Sequence, residues 1–127
     1  MDKLTAKEEE VLNYMWELGR PCSPKEVAEL YPQPGPHVNT ISTSFQSLEK
    51  KGYLTHESVG RGYLYSPVVR REDYGHRKLS KVVKNFFANS YLNVVNTFVR
   101  ESNVSREDLL RLLDELEKKQ PQQEGED

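Results

Sequence analysis

Helices in a first group of three, a two-stranded ribbon, and a second group of helices: the sequence predicts a mainly α fold with a small β-hairpin. Three observations carry this. Apolar residues recur at helical spacing through most of the chain. The spacing changes to two only after Gly52, on either side of Val59-Gly-Arg-Gly62. Beyond Arg71 the chain returns to helical periodicity and keeps it nearly to the end.

The first helix spans Leu4 to Leu18. Thr5 and Glu8 form a capping box, in which the hydroxyl takes an early backbone N–H and the carboxylate reaches back. Val11, Leu12, Met15, Trp16 and Leu18 make its apolar side, so Trp16 belongs to the core, and Gly19 ends it. Ser23, Pro24 and Glu26 open a shorter second helix, with Val27, Ala28, Leu30 and Tyr31 as its buried candidates. Pro32-Gln-Pro-Gly-Pro36 then acts as a stiff connector.

The third helix, His37 to Gly52, organises the rest. Val38, Ile41, Phe45 and Leu48 form one apolar stripe. The opposite face carries Asn39, Thr40, Ser42, Thr43, Gln46 and Ser47, with no charge until Glu49. A solvated helix normally covers itself with Glu and Lys, which favour the helix more than Ser, Thr or Asn do. Short uncharged donors and acceptors suit base edges in a major groove. The plainer alternative is a polar surface helix of poor composition.

Tyr53–Ser58 and Tyr63–Ser66 form the ribbon, with glycines where the turn needs positive φ and Arg61 at the tip. Three helices followed by such a ribbon is the order of a winged helix-turn-helix. In that fold the third helix enters the major groove and the ribbon reaches backbone or minor groove.

The second group has three helices. Glu72–Phe87 carries Val83, Phe86 and Phe87, and Tyr91–Arg100 carries Val95, Phe98 and Val99. Ser105 with Asp108 starts a last helix that bears Leu109, Leu112, Leu113 and Leu116. Some fifty residues cannot cover so many large apolar groups, so these residues are expected to form a homodimer interface. The expected organisation is a DNA-binding domain at 1–71, a helical dimerisation domain at 72–119 and a disordered tail at 120–127.

Charge bounds the function. The 127 residues carry a net charge of -2, unusual for a nucleic-acid binder. It is polarised, however. From His37 to Arg71 stand Lys50, Lys51, Arg61, Arg70 and Arg71 against Glu49 and Glu57. Lys50, Lys51 and Arg61 are the candidates for phosphates. The lone Cys22 makes no internal disulfide, and no Cys/His cluster has zinc spacing. No apolar run reads as a leader or a membrane span, so a cytoplasmic protein without membrane insertion is expected. No nucleophile motif, phosphate-cradling loop or cofactor signature appears, which argues against an enzyme. A winged helix used only as a protein-interaction module is the competing reading. Salt-dependent binding to duplex DNA separates the two.

Leu4-Thr5-Ala-Lys-Glu8 leading to Met15-Trp16-Glu17 resembles the start of the BlaI/MecI family, the penicillinase and methicillin-resistance repressors. So do Thr40-Ile-Ser-Thr43, Leu48, Lys50-Lys51-Gly52-Tyr-Leu54 and Tyr63-Leu-Tyr-Ser-Pro67. The match runs from about residue 4 to 117 by pattern and helix order. The resemblance implies a homodimeric repressor on a palindromic double-stranded DNA operator, with Thr40 and Thr43 facing the DNA. Ser42, Ser47 and His37 depart from residues frequent in the family, which points to a different operator. The resemblance also implies a membrane sensor metalloprotease that cuts an Asn-Phe bond in the dimer lobe. Here Thr97 precedes Phe98, with Asn96 one place earlier, so that control is left open. The C-terminal cysteines of the copper-responsive relatives are absent, and with them that route to metal sensing.

Overall fold

The computed structural model describes residues 3–101 and 104–124, with the backbone alone at 116, 117 and 119–124. The elements follow in the order α1 (Ala6–Leu18), α2 (Pro24–Leu30), α3 (Val38–Lys50), β1 (Leu54–Val59), β2 (Gly62–Pro67), α4 (Arg71–Phe86), α5 (Tyr91–Arg100) and α6 (Arg106–Glu124). They fall into two compact units, Met1–Arg77 and Lys78–Asp127.

In the first unit the helix starts are set by the expected caps. Thr5 accepts from the Glu8 N–H at 3.2 Å while Glu8 accepts from the Thr5 N–H at 2.8 Å. Ser23 and Glu26 repeat the device on α2, where Pro24 lacks an N–H that would have no partner anyway. Gly19 ends α1 in the left-handed conformation (φ 66°), returning its N–H to the Met15 carbonyl. The core gathers Leu4 ahead of α1, Val11, Leu12 and Met15 of α1, Val27 and Ala28 of α2, and Ile41, Phe45 and Leu48 of α3, closed by Tyr53 and Leu54. Two expected core positions are more open. Leu30 and Val38 are 40% and 37% exposed, because each sits at the end of its helix, where the packing partner falls away.

β1 and β2 pair antiparallel from Leu54 opposite Pro67 to Val59 opposite Gly62. This leaves Gly60-Arg61 as a two-residue turn. Of the two flanking glycines only Gly60 has positive φ (60°), as a turn with glycine at its first central position requires. Gly62 is an ordinary strand residue, so the expectation of two special glycines is corrected. Cys22 adds a third rung. Its N–H and carbonyl exchange bonds with Tyr65 at 2.9 and 2.8 Å, which ties the α1–α2 connection to the ribbon. Its thiol is fully buried, and burial pushes it up to about 11.

The first seven residues of α4, 71–77, belong with this unit, which ends six residues past the boundary expected at Arg71. The Tyr74 hydroxyl donates to the Glu9 carboxylate. Its ring meets Trp16 at 5.8 Å and Tyr53 at 5.9 Å, and the Trp16 indole N–H donates to the Val69 carbonyl at 3.0 Å.

The second unit holds the rest of α4, α5 and α6. Ala88 and Asn89, both left-handed (φ 51° and 59°), turn the chain between α4 and α5. Ser90 caps α5, and Ser105 exchanges bonds with Asp108 at the start of α6. α6 takes in residues 120–124 of the expected tail, and 125–127 lie outside the described residues. Val83 is the one apolar side chain fully buried among the described residues of this unit. It is already covered within the monomer, so it is withdrawn from the expected interface. Phe87 and Leu109 are half-buried, while Phe86, Val95, Phe98, Val99, Leu112 and Leu113 are exposed. The Leu116 side chain lies outside the described residues.

Candidate nucleic-acid interface

α3 turns its apolar stripe of Ile41, Phe45 and Leu48 fully into the core. The helical period then forces Asn39, Thr40, Thr43, Gln46 and Lys50 outward, and all five are exposed. The result is a face of amides and hydroxyls with no carboxylate on it, ending in a lysine. Ser42 is half-buried beside this face. Arg61 is exposed at the ribbon tip. Neither Lys50 nor Arg61 has a hydrogen-bond or ion-pair partner among the described residues, so both keep their charge available.

Two expected members of this face are placed elsewhere. Ser47 donates its hydroxyl to the Glu8 carboxylate at 2.5 Å. The Lys51 ammonium reaches the other Glu8 oxygen at 2.7 Å and the Lys3 carbonyl at 3.1 Å. Glu8 is 5% exposed, and its carboxylate needs these donors. Ser47 and Lys51 therefore serve the α1–α3 packing and are withdrawn from the DNA face. Burial alone would raise the Glu8 carboxyl. The hydrogen bonds from Lys51, Ser47 and Thr5 outweigh it and hold the group at about 2. The positive balance counted along the sequence shrinks accordingly, because Lys51 is neutralised by an acid from another helix.

The start of α3 has a cap that the sequence reading missed. The His37 Nδ1 accepts the Asn39 N–H at 3.0 Å, which requires an unprotonated Nδ1. The imidazole does here what a serine hydroxyl commonly does at an N-cap. Thr43 spends its proton inside the helix, on the Asn39 carbonyl at 3.0 Å. Its methyl and its hydroxyl lone pairs remain directed outward.

The ribbon is joined to α3 twice. Near the base, Phe45 meets Tyr65 edge-on at 4.9 Å. On the same rung, opposite Tyr65, the His56 Nδ1 lies 2.5 Å from a Glu49 oxygen. Burial raises the Tyr65 hydroxyl above its usual range, with Glu49 and Tyr63 adding to it. The sequence shows Glu49 and His56 as an acid and a histidine seven positions apart. Only the chain reversal at Gly52 (φ 91°) brings them together.

Among the described residues no group of three His, Cys, Asp or Glu could hold a metal ion, and no helix is long and apolar enough to cross a membrane.

Comparison with known proteins adds to this geometry. The family model for the penicillinase repressor matches residues 4–118. The penicillinase repressor of Bacillus licheniformis is 26% identical over 115 residues, which cover 91% of this chain and 90% of that protein. The methicillin resistance regulatory protein MecI of Staphylococcus aureus is 21% identical over 117 residues, 92% of this chain and 95% of that one. Among solved structures, a chain of the Giardia lamblia Hop2-Mnd1 complex aligns with 95% of this chain and 81% of its own at 14% identity. Its TM-score of 0.34 is too low to bear on the fold.

Proposed function

Because the chain belongs to the penicillinase repressor family, a family of transcriptional repressors, we propose that it represses transcription by binding a palindromic operator as a homodimer. α3 lies in the major groove, Asn39, Thr40, Thr43 and Gln46 meet base edges, and Lys50 and Arg61 meet phosphates. The second unit joins the two copies, so that two α3 helices face two half-sites. One observation carries the DNA reading: the exposed face of α3 is polar, free of carboxylate, and bordered by Lys50 at its end.

Arg61→Ala tests the phosphate role. It should weaken binding to operator and to random duplex alike and lower the salt slope by about one unit. Unequal losses on the two DNAs would show that Arg61 reads sequence or groove shape instead.

Thr43→Ala tests readout. With its proton committed to Asn39, Thr43 offers DNA a methyl and acceptor lone pairs. The loss on the operator should be about 1 kcal/mol, with random duplex nearly unaffected. Bonding back to the i−4 carbonyl slightly disfavours a helix, and alanine is the better helix former. The melting temperature should therefore hold or rise. A fall in melting temperature with an unchanged specificity ratio would return Thr43 to a structural role.

Proteolytic control of the kind that the resemblance implies would meet a geometric obstacle. The Thr97–Phe98 bond lies inside α5, where the Thr97 hydroxyl donates to the Asn93 carbonyl at 2.9 Å. A protease must unwind this helix to reach the bond.

A further inference from the structure

The DNA reading uses Arg61 but says nothing of what aims it. A two-residue turn at the end of a two-stranded ribbon is a poor platform, since an isolated hairpin is marginally stable in water. The ribbon needs bracing from the body of the domain. Cys22 bridges Tyr65 and Phe45 packs on Tyr65, but both contacts lie at the inner half of the ribbon. On the rung of Tyr65 stands its β1 partner His56, and Tyr63 lies two residues farther out on the face of Tyr65.

His56 is held on three sides. Its ring meets Tyr63 edge-on at 4.8 Å and Tyr65 at 5.3 Å, both from β2. Its Nδ1 lies 2.5 Å from Glu49, which stands on α3 one residue before Lys50. These are the titratable groups that face it: Glu49 from α3, Tyr63 and Tyr65 from β2. The contact joins the end of the helix expected to read DNA to β1, the strand that leads into the turn bearing Arg61. Its two side chains are 38% and 32% exposed, so the join is accessible to protons.

We propose that His56 is a positioning residue, a latch that through Glu49 sets the angle of the ribbon on α3 and so places Arg61 on its phosphate. The proposal rests on the DNA reading above. A neutral imidazole with its proton on Nδ1 donates one bond to Glu49, and a protonated imidazole makes the same bond charge-assisted. The Arg61 contribution to binding therefore depends on the contact between Glu49 and His56.

The test is a double-mutant cycle in the whole chain: wild type, Arg61→Ala, His56→Gln and the double variant, each titrated with a random-sequence duplex under one buffer condition. Glu49→Gln is run as a second series. It removes an acid near the DNA, so only its coupling to Arg61 is read and not its own affinity. Arg61→Ala should cost about three-fold more in wild type than in the His56→Gln or Glu49→Gln background. Equal Arg61→Ala losses in all backgrounds overturn the latch.

Amide exchange of residues 57–63, measured without DNA, separates this proposal from the reading beneath it. It should quicken by about three-fold in His56→Gln and in Glu49→Gln relative to wild type at the same pH. Unchanged exchange in both variants overturns the latch whatever the DNA results. Quickened exchange in a protein that binds no duplex at any salt would instead leave the latch in place and overturn the DNA reading.

Discussion

Phe86→Glu combined with Leu113→Glu should convert the full-length repressor to a monomer and weaken its hold on an operator by about 10²- to 10⁴-fold. The two side chains are 78% and 54% exposed in the single chain, so charging them costs the monomer little. They matter because of what surrounds them. Leu79 and Val82 on α4, Leu92, Val95, Phe98 and Val99 on α5, and Leu110 and Leu112 on α6 are also exposed by a third or more. Only Val83 is fully buried among the described residues of the second unit, far too little to hold three helices together. An apolar surface of this extent asks for a partner. In the proposed homodimer a second copy covers this surface and supplies a second α3. With one α3 bound, the other would act at high effective concentration, and this multiplication is what the double variant should remove. Sedimentation on both proteins, beside titration with an operator selected from random duplexes, checks the prediction. A wild-type monomer at micromolar concentration, or a double variant that still sediments as a dimer, sinks the interface assignment.

Lys51→Ala should destabilise the protein by about 3 kcal/mol, because it leaves a buried carboxylate short of its cation. The Lys51 side chain is 22% exposed and that of Glu8 is 6% exposed, so solvent screens the pair little. The pH dependence gives an independent check. Folding lowers the Glu8 carboxyl from 4.5 to about 2. A depressed carboxyl stabilises the native state at pH values above 4.5, and the contribution is lost as pH falls through the window down to about 2. The amount at stake is on the order of 3 kcal/mol. Glu8→Gln keeps an oxygen for the cap on Thr5 but cannot titrate. Its melting temperature should start lower at neutral pH and change less than that of wild type between about pH 5 and pH 2. Parallel acid profiles for the two proteins would show that Glu8 is not the group that matters.

Much of the first unit is legible along the chain because its signals are local. Thr5 with Glu8 and Ser23 with Glu26 are each read three residues apart and each forms in the structure, and Ser105 with Asp108 does the same in the second unit. The Ile41, Phe45 and Leu48 stripe follows from the helical period, and all three are buried. The face of α3 is legible in its centre and misread at its edge. Ser47 looks like Thr43 in sequence, but it points at an acid thirty-nine residues away. Lys51 looks like Lys50, and the same acid claims it.

What the sequence alone determines here is therefore the order of the elements, their capped starts, the family, and the side of each helix that is apolar. Backbone capping and 3.6-residue periodicity act over a single turn, so adjacent residues specify them. The tertiary structure decided which polar residues remain free for a partner. It turned Ser47 and Lys51 onto Glu8, joined Cys22 to Tyr65 and His56 to Glu49, and buried Val83. The physical reason is desolvation. A carboxylate carried into the interior must be met by whatever donors the neighbouring helix presents, and local sequence does not reveal which helix that is.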